Sequence, residues 1–170
     1  MISHDKKTVL YICAAAAVLS SAVLFMPLIS CLCISSRKKP SDRVYSRSAL
    51  NGFIISYTHS VNKGRVHDYY RCRQDILVVE KTVFVSYGAG IPEPEETAGA
   101  VFSVTDSGYE ISGLNRSMKR LVMAVGVIAE HSIAIGTGEI FLKTLFAPQT
   151  SLVFEIKKVS LFSYMCTRRI

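Results

Sequence analysis

A chain of 170 residues, 49% hydrophobic and 19% charged, has room for one folded domain with an appendage and is too apolar for wholesale disorder. Its net charge of +7 is split among short clusters and adjacent pairs with no aromatic-interleaved basic stripe, which argues against nucleic-acid binding. Five cysteines without a CxxC pair or Cys/His spacing give neither a disulfide scaffold nor a structural zinc site.

The amino end is the most apolar part. No charged residue occurs from Thr8 to Ser36, and the run Val9–Ile29 is long enough to cross a bilayer as a helix. Such a helix needs roughly 20 apolar residues at ~1.5 Å rise each. Pro27 falls near its end. Residues 1–36 are therefore expected to be a single-pass membrane anchor holding Cys13, Cys31 and Cys33. Lys6 and Lys7 would also suit a signal n-region, but the apolar stretch exceeds the usual ~7–15 residues of a signal core. Leu28-Ile-Ser-Cys31 loosely resembles a lipobox with Cys31 as the lipidated residue. A retained anchor, a lipoprotein and ordinary cleavage stay open, the first being favoured. Residues 37–50 read as a basic linker, with Arg37, Lys38 and Lys39 placed to meet anionic lipid. Positive charge after the helix, taken alone, would put the following domain in the cytoplasm.

From residue 51 to 170 the period is mostly two, which predicts a β domain. Phe53, Ile55 and Tyr57 alternate with Ile54, Ser56 and Thr58. Val61-Asn-Lys-Gly64 predicts a hairpin turn, with Asn and Gly accepting positive φ. Ile76–Val79 and Thr82–Tyr87 are rich in β-branched and aromatic residues, as strands prefer. Gly88–Gly99 is a Gly- and Pro-dense loop with acidic Glu93, Glu95 and Glu96. Thr105-Asp-Ser-Gly108 is a further turn signal between Val101–Val104 and Tyr109–Ile111. Short apolar runs near 121–127, 132–135, 140–145 and 152–159 complete the set. The fold class expected is mainly β, an antiparallel β-sandwich or open barrel preceded by one N-terminal transmembrane helix. Cys72 and Cys166 remain in the domain and would pair only in an oxidising compartment.

Several polar residues stand out as candidate binding or structural positions. His59 ends an apolar strand, where a neutral imidazole can bind a ligand or cap the hairpin, and capping is favoured. Ser60 beside it lacks a strand-turn-helix elbow and an acidic orienter, so a catalytic serine is not expected. His59, His67 and His131 with Asp68 are the combination that most resembles a metal set, without ligand spacing. Arg116, after Asn115, has the planar fork suited to a carboxylate. Tyr87, Gly88 and Gly90 open the Gly-rich loop, whose amides suit either an anion or a tight turn.

Tyr57-Thr-His-Ser-Val61, Asp68 with Tyr70, Ser86-Tyr-Gly-Ala-Gly-Ile-Pro92, Gly113-Leu-Asn-Arg116, Val125-Gly-Val-Ile-Ala-Glu-His131 and Phe146-Ala-Pro148 occur in an order and spacing that resemble DUF1850, a bacterial and archaeal family of unknown function. Members are often encoded beside TRAP transporters of the TAXI type. The resemblance implies association with a transporter and supplies no catalytic mechanism; with no catalytic constellation or cofactor motif in the sequence, the expected role is a membrane-anchored accessory or binding module. Its implied partner is the TRAP transporter membrane subunit or its solute receptor. Because those receptors are extracytoplasmic, the resemblance also implies an outward-facing domain. An envelope binding domain for a metal or small anion, using His59, His131 and Arg116, is the first alternative. A hydrolase using His59 and Ser60 is the second. The resemblance also leaves an edge strand before Phe53 in doubt, because residues 41–50 are short and polar.

Overall fold

The computed structural model describes residues 3–86, 98–106 and 108–170, with side chains from Lys6 onward. Helix α1 (Ser3–Phe25) opens the chain, and its Lys6–Phe25 stretch has a mean hydropathy of 2.2 with none of it buried. It is long and apolar enough to cross a membrane. Pro27 ends it, since a ring without N–H cannot continue the ladder and disfavours helix at the residue before.

Twelve strands among the described residues follow in two sheets that pack face to face. The five-stranded sheet runs β12-β2-β1-β11-β8, built from β1 (Ile29–Ser36), β2 (Arg43–Ser46), β8 (Leu121–Ala124), β11 (Ser151–Val159) and β12 (Arg168–Arg169). The seven-stranded sheet runs β10-β9-β3-β4-β5-β7-β6, built from β3 (Phe53–Thr58), β4 (Arg65–Arg73), β5 (Ile76–Phe84), β6 (Val101–Thr105), β7 (Gly108–Met118), β9 (Ser132–Ile135) and β10 (Gly138–Phe141). Pairing is antiparallel except for β12 against β2. The main core lies between the sheets, where Leu32, Ile34, Leu152 and Phe154 meet Phe53, Ile55, Tyr70 and Ile133. Phe53 stacks on Tyr70 at 5.0 Å and faces Phe154 at 6.5 Å. A β-sandwich after one apolar helix is thus the observed fold.

The amino-terminal boundaries differ from expectation. Residues 29–36 are not anchor: they form β1, paired along its length with β11 and with β2 on its other edge. Leu32 and Ile34 face the inter-sheet core, while Cys31 and Cys33 sit in a second cluster with Tyr45 and Val159 on the opposite face. A strand buried on both faces reads as continuous apolarity, which is why it merged with the helix before it. Cys31 is fully buried, so its sulfur has no room for a lipid. Residues 37–50 are not a free linker either, because they contain β2 and a 3-10 turn over Ser48–Asn51. These strands supply what the short, polar stretch before Phe53 had left in doubt. Arg37, Lys38 and Lys39 follow the far end of β1, roughly 25 Å from α1 at ~3.3 Å per residue, and cannot flank the helix exit.

Helix α2 (Leu161–Cys166) covers the outer face of the five-stranded sheet. Ser160 caps it, accepting from the Ser163 N–H at 3.1 Å, and Tyr164 stacks on Tyr45 at 6.3 Å. Six residues do not hold a helix alone, so these contacts fix it. Cys166 lies on this outer side, whereas part-buried Cys72 faces the core and donates to the Ala49 carbonyl at 3.3 Å. A sheet separates them, and the two are not paired.

Candidate functional site

The register defines two ends. β1 leaves α1 at Ile29 and runs away from it to Ser36, which pairs with Leu152. Ser151 pairs with Ala124, and Val125 then bonds Thr150 and Gln149 through the backbone. The segment 126–131 therefore starts at the end remote from α1. The Thr58 N–H donates to the Ala129 carbonyl at 2.7 Å, bringing the β3–β4 turn to the same place.

His59 and His131, which the alternative binding site combined, both act as braces at this end. His59 is buried, and its Nδ1 accepts from the Val61 N–H at 3.3 Å. Its own N–H and C=O bond Gly64 and Lys63. The turn is closed by Asn62, whose Oδ1 accepts from the Gly64 N–H at 2.9 Å, and the positive φ falls on Lys63 at 57° rather than on Asn or Gly. His131 Nδ1 accepts from the Gly126 N–H at 3.2 Å, and its ring stacks on Tyr57 at 5.6 Å. Burial, and then the nearby Arg65 cation, lower the His131 pKa below its ordinary value. A neutral ring whose Nδ1 accepts carries its proton on Nε2.

A cavity of about 310 Å³ opens between these loops, lined by Thr58, His59, Ser60, Lys63 and residues 126–129. Around it the side chains are apolar and in solvent: Val61 is 71% exposed, Val127 60% and Ile128 76%. Ser60 is exposed, and its carbonyl accepts from Lys63 Nζ at 2.7 Å.

A polar network that the sequence reading did not assemble supports this tip from the outer face of the larger sheet. Ser56 pairs with His67 across β3 and β4, and its Oγ lies 2.7 Å from His67 Nδ1. Arg65 donates to the Glu130 carbonyl at 3.0 Å and to Ser132 Oγ at 2.8 Å, and sits 3.3 Å from Glu139. Ser132, fully buried, donates to Glu139 at 2.5 Å. Arg65 thus ties β4, β9, β10 and the 126–131 loop together. The alternation that sets Ser56 apart from Phe53, Ile55 and Tyr57 was visible in sequence, but which strands pair was not.

The other candidates lie elsewhere. Asp68 points into the sandwich, where Thr82 Oγ1 donates to it at 2.7 Å; burial raises its pKa and that bond partly offsets the rise. Burial, with the Asp68 charge second, pushes the Tyr57 phenol up to about 12. Gly113, Leu114 and Asn115 form a bulge opposite Glu80, because Val79 pairs with Arg116 and Lys81 with Ser112. Positive φ at Gly113 and Asn115 turns Leu114 into a second core with Val66, Phe84 and Ile111. Arg116 shares a row with Val79, Tyr70 and Phe53, three strands across and six residues along from His59. At ~4.8 Å per strand and ~3.3 Å per residue the two cannot converge on one ion. Among the described residues no group of three or more His, Cys, Asp or Glu side chains could hold a metal. Tyr87, Gly88 and Gly90, with the loop glutamates Glu93, Glu95 and Glu96, lie outside the described residues.

A family model described as "Domain of unknown function (DUF1850)" matches residues 53–142, more than half of the chain. No curated protein and no solved structure matches it. The matched segment contains the whole seven-stranded sheet and the tip, while β1, β2, β11 and β12 come from its flanks. Phe146–Pro148 falls beyond the match, with Phe146 in the main core. The chain belongs to the DUF1850 family.

Proposed function

We propose that this member of the DUF1850 family is a membrane-tethered contact module rather than an enzyme, working beside a TRAP-type solute transporter of the TAXI kind. Helix α1 supplies the tether. The observation that carries the reading is the tip remote from α1, where Val61, Val127 and Ile128 stand in solvent on loops braced from beneath by His59, His131 and Arg65. Exposed apolar groups held on a rigid frame favour binding, because little ordering remains to be done on contact. A hydrolytic reading is disfavoured by the same braces. His59 Nδ1 already accepts from Val61, so the ring offers Ser60 no free acceptor there. The transporter comes from the gene neighbourhood that the family resemblance implies, and an outward-facing domain is part of the same proposal.

The test is capture of a TRAP-type membrane subunit or its solute receptor by the intact protein in mild detergent, from cells making both. Ile128→Asp with Val61→Asp should abolish capture and leave thermal unfolding unchanged. Recovery of neither component by the native chain would refute the accessory role. Sidedness is read separately, by a membrane-impermeant thiol reagent on Ile128→Cys in a background without the other thiols. Labelling of intact cells is expected; labelling only after lysis places the domain inside.

A further inference from the structure

The opposite end carries a second apolar face, on α2. Strand β11 places Lys157 beside Cys31 and Lys158 beside Ser30, at the point where the chain leaves α1. Ser160 and α2 follow at once. Phe162, in the first turn of α2, packs on Phe25, in the last turn of α1, with ring centroids 5.3 Å apart. Tyr164 faces inward onto Tyr45, and the Arg169 guanidinium lies 5.6 Å from the Tyr164 ring centre. Leu161, Phe162 and Met165 remain exposed, Met165 one turn beyond Leu161. Phe25, which Phe162 touches, is itself exposed, and so are Met26 and Leu28 after it. Glu155 lies 2.7 Å from Lys157 and also binds Arg120, and Asp75 lines a cavity with Lys157 and Lys158.

We propose that α2 lies in the interface of the bilayer that α1 crosses, with Leu161, Phe162 and Met165 inserted among the upper acyl chains. Lys157 and Lys158 then stand at the level of anionic phosphates. The occupant is lipid because the face is continuous with a helix whose own surroundings are lipid, and because an aromatic and aliphatic patch beside lysines is the composition of an interfacial segment. The sandwich would thus stand on two feet, α1 and α2, in one fixed orientation, with the tip directed away from the membrane. This rests on the reading of α1 as an anchor.

The chain contains no tryptophan, so single tryptophans report cleanly. The full chain is reconstituted in phosphatidylcholine–phosphatidylglycerol vesicles, brominated either high on the acyl chains or near their ends. Phe162→Trp should emit at blue-shifted wavelength and be quenched severalfold more by shallow bromine than by deep. Leu19→Trp, within α1, should be quenched by deep bromine, and Val127→Trp, at the tip, by neither. Quenched Leu19→Trp with unquenched Phe162→Trp overturns the second foot and leaves the anchor standing. If Leu19→Trp also escapes quenching, the anchor reading falls with it. A blue shift at Phe162→Trp without quenching assigns the face to a second copy or another protein and likewise overturns the proposal. Adding Leu161→Asp and Met165→Asp to Phe162→Trp should abolish shallow quenching at unchanged thermal unfolding; quenching that survives would mean tethered proximity alone. Should the triple variant not fold, the single-tryptophan depths decide.

Discussion

The two ends of this sandwich both expose hydrophobic side chains, but they hold them differently. At the α1 end, Leu161, Phe162 and Met165 sit on a helix of one and a half turns fixed by Tyr164 and Ser160, with lysines at its base. At the far end, Val61, Val127 and Ile128 sit on loops whose backbone is bonded by two imidazoles and a guanidinium. An apolar face that touches a helix long and apolar enough to cross a membrane suits a fluid solvent such as lipid, which imposes no shape. An apolar tip on a polar frame suits a surface of fixed shape. Exposed hydrophobicity alone does not name a partner, and the two proposals differ because the frames beneath differ.

Strand β1 joins the two ends, so breaking it should break both. Leu32 is fully buried in the inter-sheet core. Leu32→Ala removes buried methyl groups and leaves a cavity, which costs about 2–5 kcal/mol. Thermal unfolding of the detergent-solubilised full chain should show the largest loss of any variant considered. If residues 29–36 were membrane anchor, the same change would scarcely move the transition.

The next effect is confined to one end. Arg65→Ala removes the charged donor to the Glu130 carbonyl and to Ser132 Oγ. Hydrogen bonds of this kind contribute about 1.5–3 kcal/mol. Hydrogen exchange of residues 126–131 should quicken, while residues 161–166 stay as protected as before. Equal loosening at both ends would mean that the tip has no frame of its own.

What was legible in the sequence follows the same division. In the larger sheet, two-residue alternation with Gly and Asn punctuation made β3 and the turns at Val61–Gly64 and Gly108 readable from pattern alone, whereas Ile76–Val79 and Thr82–Phe84, read as two runs, are one strand, β5. His59 as a hairpin brace was the favoured of two readings, because a polar residue closing an apolar strand is placed to bond the turn that follows. β1 was hidden because burial on both faces erases the period. α2 was hidden by its six-residue length, too short for a helical period. The Ser56–His67 and Arg65–Ser132 contacts depend on strand register across distant segments, which local composition does not encode. The distance between His59 and Arg116 is likewise a matter of topology, and it undid the site that chemistry alone suggested.

Acid should also act on one end. The folded His131 binds its proton less readily than the unfolded chain does, so the unfolded state takes up protons first as pH falls. Stability is then level above the ordinary value of 6.5 and declines below it. His67 has a pKa lowered by burial and then by Arg65, with Glu139 opposing. On protonation His67 can turn its bond around, because Ser56 Oγ accepts as well as donates. His131 cannot, since a protonated Nδ1 would face the Gly126 N–H donor to donor. His131→Phe keeps the stack on Tyr57, loses about 1 kcal/mol at neutral pH and flattens the decline below it. An unchanged acid limb in unfolding scans would remove His131 from the account.

The smallest effect separates the backbone of the tip from its surface charge. Glu130 is held twice: its carbonyl accepts from Arg65, and its carboxylate pairs with Lys143 at 3.2 Å. Both partners of the ion pair are about half exposed, so water and salt screen it, and such pairs contribute about 0–1 kcal/mol. The Arg65 bond is different in kind, because it reaches a main-chain carbonyl at a residue whose φ of 46° lies in the left-handed region. That conformation is costly for glutamate and persists only when its surroundings impose it. Lys143→Ala should therefore leave the unfolding temperature and the exchange of residues 126–131 unchanged within error, and raising the salt concentration should do no more. Exchange as fast in Lys143→Ala as in Arg65→Ala would place the frame of the tip in its surface charges, and the contrast drawn between the two ends would fail there.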